Sequence, residues 1–74
     1  QARAAAAHPL VVIVKDKVPF QRGNGPSYSA HPDLPILNQG MEAQCLHQRG
    51  DWLQIQFATG EIGWVPRDQV LIDE

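Results

Sequence analysis

Residues 50–72 read GDWLQIQFATGEIGWVPRDQVLI, and the alternation at their centre decides the fold class. Leu53, Ile55 and Phe57 are apolar while Gln54 and Gln56 between them are polar, which is the period-two signature of a half-buried strand. Ala58-Thr59-Gly60-Glu61 has hairpin chemistry, because Gly60 can supply the positive φ that a tight turn asks for. Residues 62–65 then predict the returning strand, Pro66-Arg67-Asp68-Gln69 a tight turn, and residues 70–72 a last short strand. Within the returning strand, Gly63 marks a place where a side chain would collide with a neighbour.

Working outward, residues 41–48 predict a strand with Ala43 and Cys45 on one face, joined to the next by the Arg49-Gly50-Asp51 corner. Upstream, residues 21–35 read QRGNGPSYSAHPDLP. Gly permits positive φ and Pro fixes φ near about −65°, so this composition means turns without regular structure. A loop of that length in a compact domain is more often functional than idle. Residues 10–14 are an unbroken apolar, mostly β-branched run and predict a covered first strand. Val18-Pro19-Phe20 extends it, with Pro19 at an edge or bend because it donates no hydrogen bond. The expected core sets Leu53, Ile55, Val65 and Val70 against Val12, Val14, Ala43 and Cys45.

The chain has 74 residues, enough for one domain and too few for two. Its 43% apolar content is that of a folded globular protein. The net charge of −2 is scattered, with no basic patch of the kind that grips phosphates, so no nucleic-acid partner is expected. The stretch AAAAHPLVVIV is broken by His8 and Pro9 and is shorter than the roughly 20 residues of a spanning helix, so no membrane insertion by this segment is expected. The opening QARAAAA favours helix but stops at Pro9. Residues 1–9 are therefore read as a linker or the tail of an upstream segment, poorly ordered over 1–7, and residues 10–74 as the folded domain. Together, about five or six short strands without a helical period after Pro9 indicate an all-β protein, a small antiparallel barrel with a 3₁₀ turn before its last strand.

The stretch from Gly50 resembles the second half of an SH3 domain: a turn, a Trp opening a strand, a Gly-containing hairpin, then Gly-aromatic-aliphatic-Pro, a one-turn 3₁₀ helix and a final strand. Gly63-Trp64-Val65 is more similar to the bacterial SH3-like (SH3b) group than to the eukaryotic one. Arg22, Gly23, Gly25, Pro26 and Ser27 likewise resemble the bacterial region between the first two strands. The similarity extends over residues 10–72 and is specific over residues 50–72.

This resemblance implies a ligand groove, and the matching positions are Trp52 and Pro66, with Tyr28 of the long loop as a third wall. Trp52 also falls on the polar side of its strand, so it should be partly exposed, and exposed aromatics favour recognition. Its competing role is to cap the barrel end. Trp64 is assigned to packing against the first strand or the long loop. Departures from the family pattern count against proline-rich ligands: Gln69 replaces the tyrosine of the 3₁₀ turn, and the long loop offers only Asp33 among Arg22 and His31.

No catalysis is expected. Cys45 and His47 are two apart on one predicted strand, but Cys45 falls on the core side, where a thiol is an inert hydrophobe, and no third orienting residue is evident. His8, His31, His47 and Cys45 lack the paired spacing of metal ligands, so neither metal nor cofactor is expected. Two functions remain. One, implied by the resemblance, is a protein-interaction module from a larger bacterial protein of the cell envelope, a monomer binding a peptide, a cell-wall fragment or a partner domain of the same protein. The other is a structural spacer that docks on the rest of its own chain and has no free ligand site.

Overall fold

The computed structural model describes residues 8–25 and 27–73. The expected tail over residues 1–7 lies outside them. Among the described residues, seven strands and a 3₁₀ turn follow in order: β1 (Leu10–Ile13), β2 (Val18–Pro19), β3 (Ile36–Leu37), β4 (Glu42–Arg49), β5 (Trp52–Gln56), β6 (Ile62–Pro66), the 3₁₀ turn (Arg67–Gln69) and β7 (Val70–Asp73). Five of them form one antiparallel sheet in the order β6-β5-β4-β1-β7, and β2 pairs with β3 as a separate ribbon. The strongly bent sheet wraps a single core in an SH3-like barrel.

The core consists of Val11, Ile13, Val18, Phe20, Leu37, Ala43, Cys45, Leu53, Ile55, Phe57 and Val65, with Leu34, Met41, Val70 and Ile72 packed against it. On β5 and β6 the expected alternation holds, and Leu53, Ile55 and Val65 are fully buried. On β1 the expected face is reversed. Val11 and Ile13 point inward, Val12 is half-buried and Val14 is 39% exposed. The strand is apolar at every position, so its own pattern carries no parity. Its partners decide: Val11 stands opposite Ala43 on one side and Ile72 on the other.

The segment around Pro19 also differs from expectation. Val18–Pro19 does not prolong β1 but turns away through Lys17, whose φ of 58° lies in the left-handed region, to pair with β3. The long loop is more ordered than its composition suggests. Gln21 bridges to Ala30 across the loop base and to Trp64 of β6, while Phe20 N–H donates to the Pro35 carbonyl at 3.1 Å. The Gln21–Trp64 pairing covers part of the otherwise open edge of β6.

Gly63 sits beneath this junction. A Cβ there would come within 2.7 Å of the Phe20 ring and 2.9 Å of the Gln21 carbonyl oxygen, so the colliding neighbour is the loop base. Phe20 then meets Phe57 edge-on, with centroids 5.4 Å apart, and stacks on His31 at 5.2 Å. Offset and edge-on aromatic pairs of this kind add stability beyond their buried area.

Candidate functional site

On the outer face of β5 and β6 the cross-strand pairs are Trp52 with Pro66, Gln54 with Trp64, and Gln56 with Ile62. Pleating places these side chains opposite the buried Leu53, Ile55 and Val65. Trp52, Pro66 and Trp64 are all half-buried. Trp52 opens its strand directly after a tight turn in which Gly50 has φ of 57°, which a side-chain-bearing residue adopts only at a cost. Pro66 ends β6, where its missing N–H interrupts no further pairing.

Trp52 and Pro66 line one depression of about 370 Å³ together with Asp51, Arg67 and Asp68. Its walls are tied together, because Arg67 N–H donates to the Asp51 carbonyl at 2.8 Å and so fixes the start of the 3₁₀ turn against the β4–β5 turn. Asp68 Oδ1 accepts from Gln69 Nε2 at 2.9 Å. The three charged rim residues were not singled out from the sequence, although each is adjacent in the chain to Trp52, Pro66 or another rim residue.

Tyr28 occupies a different place. It lies on the long loop, 51% exposed, with its ring flat over Gly23, where any Cβ would overlap it. Tyr28 N–H donates to the Gly25 carbonyl and Arg22 N–H to that of Ser29, so the loop holds the ring in place. It is not among the residues lining the Trp52 depression. The structure thus joins Trp52 to Pro66 and sets Tyr28 apart on the loop that is anchored to Trp64.

Further concavities lie among the described residues. One of about 430 Å³ separates the long loop from the β5–β6 hairpin, between His31 and Asp33 on one side and Thr59, Gly60, Glu61 and Ile62 on the other. His31 Nδ1 accepts the Asp33 N–H at 3.1 Å. The Thr59 hydroxyl donates to Glu61, and this bond, with the Glu61 backbone N–H, holds the Glu61 carboxyl below the usual carboxylate range. Another concavity, about 450 Å³, is lined by Leu10, Glu42, Gln44, Gln56 and neighbouring residues.

The Cys45–His47 pair does not share a face. The β4–β5 register shifts between them, so Cys45 stands opposite Ile55 in the core while His47 is exposed opposite Gln54. Burial pushes the Cys45 thiol above its ordinary pKa, and its Sγ donates to the His47 carbonyl at 3.7 Å. Burial outweighs the backbone hydrogen bond at His47, which acts the other way, so thiolate formation is opposed. Among the described residues, no three His, Cys, Asp or Glu side chains come together as candidate metal ligands. Nor, among those residues, is any helix long and apolar enough to cross a membrane.

Among curated proteins, the chain is 37% identical over 60 residues to "Putative N-acetylmuramoyl-L-alanine amidase YrvJ" of Bacillus subtilis strain 168. The matched stretch is 81% of this chain and 11% of that protein. The chain is homologous to a piece of it. It spans about a tenth of that relative's length, 11%. No family model matches the chain, and no solved structure does.

Proposed function

We propose that this domain is a non-catalytic SH3-like module of the bacterial SH3b kind, part of a larger envelope-associated protein, that binds a peptide or cell-wall component. The relative's name denotes an enzyme acting at the amide between N-acetylmuramic acid and L-alanine, and the homologous stretch is a small part of it. A module that holds such an enzyme on its polymer fits that share of the chain. The observation that carries the reading is the outward Trp52–Pro66 pair, held by backbone bonds in a shallow depression rather than packed into the core. Tyr28, on its own stretch of the loop, extends the contact as a separate anchor. The domain acts as a monomer, and residues 10–74 form the folding unit.

Half-buried aromatics in a shallow site give modest affinity, about micromolar or weaker. The test combines co-sedimentation with insoluble cell-wall sacculi and an NMR titration with soluble wall fragments. The intact domain is expected to co-sediment and to shift Trp52 and its neighbours. Trp52→Ala is expected to lose binding about tenfold or more while its circular dichroism is unchanged. Shifts that cluster away from Trp52 would reject this face. Binding only to the remainder of the parent chain would favour the spacer role.

A further inference from the structure

The Trp52 depression carries charges of both signs. Asp51 and Asp68 bring carboxylates and Arg67 a guanidinium, and all three are exposed around the half-buried Trp52 and Pro66. The Arg67 N–H bond to the Asp51 carbonyl fixes the spacing of the backbone that bears them, and Gln69 orients the Asp68 carboxylate. A neutral ligand entering this rim would strip water from charged groups and give nothing in return. A ligand with matching charges would gain from every one of them. An ammonium group is attracted both to the carboxylates and to the indole face of Trp52. A carboxylate matches the two parallel N–H donors of Arg67.

We propose that this depression selects a dipolar peptide, one that carries a free ammonium group and a free carboxylate close together, over neutral glycan or proline-rich segments. The inference rests on the reading that Trp52 and Pro66 form the binding face, and it names the ligand class that face takes. Since all the charged groups lie at the surface, recognition is salt-sensitive.

The test follows the Trp52 indole N–H by NMR with four peptides: N-acetyl-Ala-Lys-Ala with a free lysine ammonium and a free C-terminal carboxylate, its Nε-acetylated form, its C-terminal amide, and the doubly blocked form. The parent peptide is expected to shift the Trp52 signal, each single block to weaken binding about three- to fivefold, and the double block to weaken it further. Asp51→Asn with Asp68→Asn is expected to erase the difference between the parent and its Nε-acetylated form. Arg67→Gln is expected to erase the difference between the acid and the amide. Equal binding of all four peptides at Trp52 would overturn charge selection and leave the face intact. No shift by any peptide, while sacculus binding still needs Trp52, would overturn it in the same way. Charge-dependent shifts remote from Trp52 would reject the face and the selection together.

Discussion

Gly63 is the residue on which the loop and the sheet meet. Its missing side chain lets the Phe20 ring and the Gln21 carbonyl approach β6 closely, and the 2.7 Å that a Cβ would leave to the Phe20 ring is far inside contact distance. Neither neighbour can yield easily, since Phe20 is fully buried and Gln21 is bonded to Trp64. Gly63→Ala is therefore expected to destabilise the domain by about 1–3 kcal/mol, the usual cost of overpacking, measured by urea unfolding. An unchanged midpoint would show that the loop base moves freely. At Glu61 the carboxyl is held below its ordinary range, first by the Thr59 hydroxyl and then by its own backbone N–H. Its folded pKa lies below the unfolded one, so the stabilisation is present above the unfolded value and is lost as pH falls through the folded value. In Thr59→Ala the Glu61 midpoint, followed by NMR of the carboxyl carbon, is expected to rise toward that of a free glutamate. A midpoint that stays put would assign the shift to the backbone donor instead.

Among the elements, the long loop and β4 departed most from simple pattern. The loop is a closed structure pinned to the edge of β6 by two bonds, Gln21 N–H to the Trp64 carbonyl at 2.9 Å and Trp64 N–H to the Gln21 carbonyl at 2.7 Å. Gln21→Pro removes the first donor. Amide exchange at Trp64 and at Arg22 is then expected to accelerate while the β4–β5 amides keep their protection. Equal acceleration throughout would mean that the loop and the sheet open as one unit. In β4 the register shift after Cys45 inserts an extra residue. Bulges of this kind increase local twist and let a sheet bend. Here the same shift separates Cys45 from His47.

For the whole molecule, a core this small leaves little reserve. A domain of this length has a net stability of about 4–11 kcal/mol at the usual 0.05–0.15 kcal/mol per residue. Ile55 is fully buried, and Ile55→Ala is expected to cost about 2–5 kcal/mol. Adding Leu53→Ala is expected to abolish the cooperative thermal transition. A folded double variant would show that the β2–β3 ribbon and the loop contribute more than their size suggests. The contrast with Trp52→Ala is informative, because a half-buried side chain on the outer face can be removed without opening the core.

The sequence by itself determined the fold class and the second half of the barrel. Leu53, Ile55 and Phe57 alternate with glutamines, Gly60 marks the hairpin, and Gly-Trp-Val-Pro leads into a 3₁₀ turn, so each local preference there agrees with the final structure. It also gave Trp52 its place on the outer face, since parity along an alternating strand is explicit. The tertiary structure alone decided the parity of β1, because Val and Ile at consecutive positions suit either face until Ala43 and Ile72 are brought alongside. It alone found β3 and the closure of the long loop, whose bonds join residues far apart in the chain and leave no periodic trace. And it alone gathered Asp51, Arg67 and Asp68 around Trp52 and Pro66, because a depression is made by the spacing of two turns, which no single stretch of sequence encodes.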